Sequence, residues 1–352
     1  MKHILSTLIL FAIIFSATAQ DAEKIQKLMQ EGIALHDKGE YAEAIKKYNA
    51  VLDLDKNSFD ASYEKSFSLT ALGKLKEANA ISKELLKKFA DHPNIKIVYI
   101  QYGSTLDDLG KGQEAIGVYD EGIIKFPDEY LLHFNKGLSL QKMEKYEEAL
   151  LSYENSLKLK PLHASSNYYT GMLIQKQNRI PAFLAYATFV GIEPNTKRSK
   201  DGFDRINQVL GSNVKKEGNN TTIFLDPSTL GGKNKKTEND FSSIELMFSL
   251  LSANDNSKSM DSLGKTPADK LNYKIQMLIN MLSLHQKDGK GFYWEHYVPF
   301  FIDMKEKNHV GTLAHLIYKP AMEEDNDRWL EKNDKAIEDF YDWLKAYKWN
   351  KL

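Results

Sequence analysis

The stretch of sequence that decides the fold is residues 130–163, YLLHFNKGLSLQKMEKYEEALLSYENSLKLKPLH. Two apolar stripes with 3- and 4-residue spacing run through it, the second of them through Ala149 and Tyr153. This spacing is typical of amphipathic helices. Pro161 follows the second stripe, and proline cannot continue a helix. The segment therefore predicts a unit of two helices joined by a short turn.

The same pattern recurs along the first half of the chain. A small residue marks each copy, at separations of 34, 37, 34 and 34 residues: Gly32, Ser66, Gly103, Gly137 and Gly171. A second series follows twelve positions later: Ala44, Ala78, Ala115, Ala149 and Phe183. A fixed period of this length predicts a stack of similar two-helix units.

Within each unit, small residues are expected where the two helices approach closely, and Gly32 and Ala44 meet that need in the first copy. Glycine also recurs at the turn between the helices, where a residue that tolerates positive φ is favoured. These turn positions hold Gly39, Gly73, Gly110, Glu144 and Asn178. Prolines end the later copies at the same register to within one residue: Pro127, Pro161 and Pro194.

Residues 25–196 resemble the tetratricopeptide repeat (TPR) family in this pattern of glycine, aromatic, alanine and proline positions. The copy at 59–92 is weaker, because Ser66 replaces the glycine and Ser82 the aromatic residue. The copy at 164–196 is weakest, with the sizes of its alanine and phenylalanine positions exchanged. The resemblance implies five helical repeats, a groove along one side, and binding of a protein or peptide.

In the TPR family the first helix of each repeat lines the groove. The resemblance carries this role over to an apolar and aromatic set of positions: Met29, Ile33, Tyr63, Phe67, Ile100, Phe134, Leu138, Tyr168 and Met172. More polar residues follow at the edge: His36, Thr70, Asp107, Gln141 and Gln175. Such a lining suits an amphipathic helix or an extended apolar segment. The alternative is that the C-terminal half of the chain itself fills the groove.

One TPR function can be tested on these residues. Family members that grip the carboxylate at the end of a chaperone use cationic and amide side chains at five positions. Those positions here hold Met29, Ile33, Glu64, Ile97 and Gln101. None of them is cationic and one is acidic, so the sequence excludes this carboxylate-binding type.

The N-terminus reads as a secretory signal peptide over residues 1–19. Lys2 and His3 precede an apolar run over 4–15, and Ala17-Thr18-Ala19 provides small residues for cleavage. A membrane anchor is the alternative, but the apolar run is too short to span a bilayer. We therefore expect an exported protein, in the periplasm or outside the cell. The leader and composition resemble exported proteins of the Bacteroidetes type.

The composition of the chain excludes several classes of function. The chain has 352 residues, 42% hydrophobic and 27% charged, which is enough for two domains with sizeable cores. Its net charge is −1, and −2 without Lys2, so nothing in the balance attracts nucleic acid. The sequence has no cysteine, which excludes disulfides, thiolate chemistry and a lipid anchor on a cysteine after the leader.

Residues 197–211 and beyond depart from the repeat. An amphipathic stretch over 199–210 ends at Gly211 and resembles the helix that closes TPR arrays. We expect a linker over 212–239, with a short extended segment at 221–226 and a basic loop at 231–236. That loop lacks the outer glycine and the Lys-Ser/Thr ending of a phosphate-binding loop.

The apolar pattern of residues 240–352 predicts a C-terminal helical domain. Thr266-Pro267-Ala268-Asp269 is a strong helix start, with a capping threonine, proline in the first turn and an acidic third residue. Further helices are expected at 291–307, 309–318 and 326–348. This region matches no family by its pattern.

The C-terminal domain offers few catalytic candidates: Glu295, His296, Asp303, His309 and His315. Their spacing does not place ligands three or four apart on one helix face, and no Gly-x-Ser-x-Gly motif is present. We therefore expect no catalytic, cofactor-binding or metal site. Asp261-Ser262-Leu263 resembles a short O-glycosylation signal of exported Bacteroidetes proteins.

These observations predict an all-α protein: a TPR superhelix with its cap helix over 25–211, followed by the helical domain over 240–352. The expected function is a non-enzymatic scaffold or adaptor of the cell envelope that binds a protein segment in its groove. The alternative is a hydrolase or carbohydrate-active module in the C-terminal domain, with the repeats as a targeting element. No transmembrane segment is expected in the mature chain.

Overall fold

The computed structural model describes residues 2–211, 214–217, 220–224, 238–253 and 266–349. Contacts divide the chain into two compact units, residues 1–149 and 150–352. The first unit consists of helices that alternate between the first and second members of each repeat. They are α1 Lys2–Asp37, α2 Tyr41–Leu54, α3 Phe59–Ala71, α4 Leu75–Lys88, α5 Ile95–Asp108, α6 Gly112–Lys125, α7 Tyr130–Lys142 and α8 Tyr146–Leu159, of which residues 150–159 belong to the second unit.

The second unit continues with the fifth repeat and the C-terminal helices. They are α9 Ala164–Ile174, α10 Arg179–Ile192, α11 Lys197–Gly211, α12 Ser242–Ala253, α13 Pro267–His285, α14 Phe292–Glu306, α15 Val310–Tyr318, α16 Glu324–Lys332 and α17 Asp334–Ala346. A small antiparallel hairpin, β1 Val214–Glu217 and β2 Asn220–Ile223, follows α11. The all-α prediction is confirmed, and the hairpin contains the first part of the predicted extended segment.

The turns between the paired helices follow the predicted glycine rule in three repeats. Gly39, Gly73 and Gly110 have φ values of 79°, 80° and 76°. Glu144 adopts the same left-handed conformation without being glycine, with φ of 60°. Asn178 does not, with φ of −145°, and its side chain instead donates a hydrogen bond to the carbonyl oxygen of Asn239 (2.9 Å). The fifth turn is therefore built on a contact with the C-terminal region.

The repeated glycines of α1, α5 and α9 are explained by a tyrosine of the second helix of the repeat. A methyl group on Gly32 would lie 2.5 Å from Cε1 of Tyr48, and one on Gly103 would lie 2.4 Å from Cε1 of Tyr119. Ala44 is also fully buried, but the expected Gly32–Ala44 approach is not what excludes a larger side chain. The ring packs against the first helix and leaves no room for a Cβ atom.

The second repeat replaces this packing with hydrogen bonds. Ser66 and Ser82 occupy the positions of the glycine and the tyrosine, and their hydroxyl oxygens lie 3.1 Å apart. The Ser66 hydroxyl also donates to the carbonyl oxygen of Ala78 (3.0 Å) and accepts from Nε2 of Gln101 (3.1 Å). The two departures from the family pattern are in direct contact, so the glycine–tyrosine packing is replaced at both positions together.

The fifth repeat departs from the pattern because its second helix is buried on every side. All residues from Arg179 to Gly191 are buried, and α10 packs against α12, α14 and α15 as well as α9 and α11. Phe183 meets Phe248 edge-on with ring centroids 5.7 Å apart. The second helix of an ordinary repeat has a solvent-facing side, whereas α10 lies within the core of the second unit.

Two local predictions in the C-terminal helices have clear outcomes. The start of α13 is confirmed: the Thr266 hydroxyl accepts from the Asp269 amide, and the Asp269 carboxylate accepts from the Thr266 amide. The single helix expected at 326–348 is wrong, because the chain forms α16 and α17 with Asn333 between them. The Asn333 side chain donates to the Trp329 carbonyl oxygen (2.7 Å) and closes α16.

Several predictions lie outside the described residues. These are the basic loop at 231–236, Leu225 and Asp226 of the extended segment, and the sequence around Ser262. Within the described part of the chain, no helix has the length and apolar character needed to cross a membrane.

Candidate functional site

A row of five stacked rings follows α3 in the first unit. Phe59, Tyr63 and Phe67 are one turn apart on that helix, with centroid separations of 6.4 and 6.3 Å and nearly parallel planes. His36 of α1 stacks on Phe67 at 4.8 Å, and His92 stacks on Phe59 at 3.7 Å. We call these five residues the aromatic strip.

The strip is buried at one end and open at the other. Phe59 is 5% exposed, whereas Phe67 is 44% exposed and the neighbouring Ile33 of α1 is 42% exposed. Tyr63 is half-buried, and burial raises the pKa of its hydroxyl to about 12. Nδ1 of His36 lies 2.7 Å from the Ser68 hydroxyl, which fixes the ring that covers Phe67. The open end therefore presents apolar surface on side chains that are already held in place.

Three carboxylates lie close together beside the strip. Burial raises the pKa of the Glu64 carboxyl, and the negative charges of Asp60 and Asp37 raise it further. Asp37 and Asp60 are exposed and Glu64 is half-buried. Within the described residues, none of the three forms an ion pair. The strip therefore borders a patch of uncompensated negative charge.

The other predicted groove positions of the first unit are more covered. Met29, Ile100, Phe134 and Leu138 are all half-buried, and Ile100 packs against the core formed by α3 to α7. Among the polar edge residues, Asp107 forms an ion pair with Lys142. Among the predicted groove residues of the first unit, Ile33 and Phe67 are thus the most exposed.

The positions that other family members use to hold a carboxylate have different roles here. Gln101 is 7% exposed and is engaged with Ser66, and Ile97 packs in the core of the first unit. Glu64 is the remaining polar side chain of this set. It is acidic, whereas the family members that bind a carboxylate have cationic or amide side chains at these positions.

In the second unit, the predicted groove residue Tyr168 contacts the cap helix α11. Its hydroxyl donates to Oδ2 of Asp201 (2.6 Å), which also accepts from Nε of Arg205 (2.6 Å). The Arg205 guanidinium lies 5.4 Å from the Tyr168 ring centroid. Met172 is half-buried. This part of the predicted site is therefore largely closed by an adjacent helix.

The polar candidates of the C-terminal domain lie in separate environments. His296 is 4% exposed between the rings of Phe292 and Trp349, each 4.7 Å away, and burial lowers its pKa to about 3. His315 stacks on Trp329, with its Nδ1 atom 2.7 Å from Oδ1 of Asn326. The buried imidazoles are held by aromatic packing.

The remaining three candidates do not join these histidines. Glu295 is exposed. Asp303 accepts a hydrogen bond from the Tyr347 hydroxyl (2.9 Å). His309 lies against Trp343, with ring centroids 5.0 Å apart. In the described part of the chain, no three His, Asp or Glu side chains are arranged as ligands of a metal ion.

Sequence reasoning found Tyr63 and Phe67 but missed the row to which they belong. Phe59 was not assigned to the groove, although the spacing of four residues from Phe59 to Tyr63 and from Tyr63 to Phe67 places all three on one face. Nothing in the local sequence pattern predicted that His36 and His92 stack on the two ends of this row.

Alternating first and second helices with glycine-based turns define a protein of the helical-repeat class. More particularly, the chain contains tetratricopeptide repeats, which serve as protein-interaction scaffolds. A family model described as a TPR repeat matches residues 32–66, and one described as a tetratricopeptide repeat matches residues 134–188.

Three solved structures illustrate the similarity. PilF of Pseudomonas aeruginosa is 19% identical, with a TM-score of 0.44 over 55% of this chain and 91% of that one. A thermophilic TPR protein of Thermus thermophilus is 19% identical, with a TM-score of 0.43 over 53% of this chain and 98% of that one. YrrB, a TPR protein with an unusual peptide-binding site, is 20% identical, with a TM-score of 0.37 over 51% of this chain and 93% of that one. No curated protein matches the chain.

Proposed function

We propose that this protein is a non-enzymatic adaptor that binds an apolar segment of a partner protein on the first helices of its N-terminal repeats. The observation that carries this proposal is the open end of the aromatic strip. Ile33 and Phe67 are both more than two-fifths exposed, whereas the other predicted groove residues of the first unit are half-buried. Burying such side chains in an interface contributes about 1.5–3 kcal/mol each.

The arrangement of the second unit favours a role for the C-terminal helices in packing on the fifth repeat. Tyr297 of α14 donates to Oδ1 of Asn167 (2.8 Å), and a methyl group on Gly191 of α10 would lie 2.8 Å from Leu313 of α15. The C-terminal helices α14 and α15 thus pack on the fifth repeat within the second unit.

The proposed location follows from the leader. Residues 1–19 carry the basic start, apolar run and small cleavage residues of a secretory signal peptide. An exported adaptor would meet its partner in the periplasm or outside the cell. Mass determination of the N-terminus of the protein recovered from its source cells tests the proposed cleavage before Gln20.

Selection from a random peptide library tests the binding proposal. Peptides that bind the full chain are selected and then measured on Phe67→Ala and on a matched control, Ile124→Ala. Ile124 is 82% exposed on α6, a second helix of a repeat. We expect the selected peptides to lose at least about tenfold in affinity on Phe67→Ala, because the strip loses its most exposed ring.

The control variant is expected to bind like the wild type, because it removes an exposed apolar side chain outside the strip. Peptides that bind Phe67→Ala and the wild type equally would place the binding site elsewhere. Both variants should keep the circular dichroism spectrum of the wild type.

A further inference from the structure

We propose that the partner segment carries a lysine or arginine beside its apolar residues, and that this cation binds between Glu64 and the rings of Tyr63 and Phe67. The inference rests on the proposed function and adds the charge of the ligand to it. It follows from what lies next to the open end of the aromatic strip, namely a carboxylate patch without a cation.

The positions of Tyr63, Glu64 and Phe67 allow one lysine or arginine side chain of the partner to contact both the carboxylate and the rings. Tyr63 and Glu64 are adjacent on α3, and Phe67 lies three residues beyond Glu64, one turn along the helix. Tyr63 and Phe67 stack with their planes within 5° of each other, and Phe67 is 44% exposed, so the aliphatic stem of a lysine or arginine can pack against the exposed ring edges. Its charged group then lies beside the Glu64 carboxylate, and the attraction between the two charges increases as the site loses water.

The electrostatics select a cation. Glu64 is half-buried, and the negative charges of Asp60 and Asp37 add to the effect of burial in raising its pKa. Two lysines near the first repeats pair with other carboxylates: Lys47 with Glu31, and Lys74 with Glu77. A bound cation would relieve the repulsion, whereas a bound carboxylate would add to it.

Charge complementarity also separates this site from the carboxylate-binding type. The five positions used by that type hold no cation here, and one of them is Glu64. The same surface that would hold an anionic chain end in those proteins is suited in this one to the opposite charge. The preferred ligand is therefore an apolar segment flanked by lysine or arginine.

The test uses the peptides selected on the full chain that lose affinity on Phe67→Ala. Each is compared with a version in which norleucine replaces lysine, which keeps the aliphatic stem and removes the charge. We expect the lysine or arginine to be enriched in these peptides and its removal to weaken binding about tenfold. On Glu64→Gln the charged and uncharged versions should bind alike. Glu121→Gln, which removes an exposed carboxylate on α6, serves as the control and should leave the difference intact.

The outcomes separate this proposal from the one on which it rests. Phe67-dependent peptides without enriched cations, or a lysine whose removal has the same effect on Glu64→Gln as on the wild type, would overturn the cation site and leave the apolar site standing. If no selected peptide depends on Phe67, both proposals fail. If the wild-type chain is a dimer that Phe67→Ala dissociates, the strip is covered by a second copy and the cationic ligand is wrong.

Discussion

At the scale of single residues, the repeat is held by the contact between one glycine and one aromatic ring. Gly103 of α5 and Tyr119 of α6 lie so close that an added methyl group would be 2.4 Å from the ring. Gly117, on the same α6, has no atom within 4 Å of the corresponding position and is exposed. The two glycines therefore carry different constraints although both lie in helices.

We expect Gly103→Ala to lower the free energy of unfolding of the first unit by about 1–3 kcal/mol, because the ring must move or the helices must separate. Gly117→Ala is expected to raise it by about 0.5–1 kcal/mol, because alanine loses less backbone entropy in a helix. Urea denaturation followed by circular dichroism measures both. Equal effects of the two substitutions would show that the glycine–tyrosine contact is not the constraint.

At the scale of elements, the second repeat shows how two helices can change together. Ser66 of α3 and Ser82 of α4 replace the glycine and the ring, and Gln101 of α5 completes the hydrogen bonds. Ser66 and Ser82 are both fully buried. The two positions are thus coupled through direct contact, and either change alone leaves a clash or unpaired polar groups.

A double-mutant cycle tests this coupling. We expect Ser66→Gly and Ser82→Tyr each to destabilise the protein, the first by removing hydrogen bonds and the second by forcing a ring against Ser66. The double variant restores the glycine–tyrosine pair, and its stability should exceed the sum of the single effects by about 1–3 kcal/mol. Additivity within about 0.5 kcal/mol would mean that the positions are independent.

The elements also show what can be predicted from sequence. The helices of the repeats and three of the five turns follow local rules, since Gly39, Gly73 and Gly110 adopt the positive φ that glycine permits. The packing of α10 does not follow local rules. Its residues contact helices far along the chain, and the sequence shows this only as an excess of apolar side chains.

At the scale of the whole molecule, buried histidines make the second unit sensitive to acid. Burial lowers the pKa of His296 to about 3 and that of His163 to about 4, against ordinary values of 6.5. Below pH 6.5 the unfolded chain takes up protons that these folded imidazoles do not, so stability falls with pH until the folded pKa is approached. Glu154, whose pKa is raised by burial, acts in the opposite sense as pH falls toward its ordinary value of 4.5.

His296→Phe isolates one of these contributions, because a phenyl ring fits between Phe292 and Trp349. We expect the free energy of unfolding to fall less steeply on acidification for the variant than for the wild type. The difference should be about 1.4 kcal/mol for each pH unit between about 6.5 and 4. The four tryptophans all lie within residues 150–352, so their fluorescence during urea denaturation reports on this unit. Parallel profiles of the free energy of unfolding against pH for the variant and the wild type would contradict the assignment of this pH dependence to His296.

The candidate site was predictable in part. The resemblance of the first helices to a known family indicated Ile33 and Phe67, which are more than two-fifths exposed, and Tyr63, which is half-buried. It also indicated Tyr168, which the structure shows engaged by Asp201 of α11. Exposure depends on neighbouring helices that the repeat pattern does not describe, so a family position alone does not distinguish an open site from a closed one.

The most direct test of the central claim is photo-crosslinking of a selected peptide to the full chain. A benzophenone side chain replaces Phe67 in one variant and Ile124 in another, and mass spectrometry locates the crosslinks. We predict that the peptide crosslinks at position 67 and not at position 124, with labelling reduced by excess unlabelled peptide. Equal labelling at the two positions, or labelling confined to position 124, would contradict binding on the first helices.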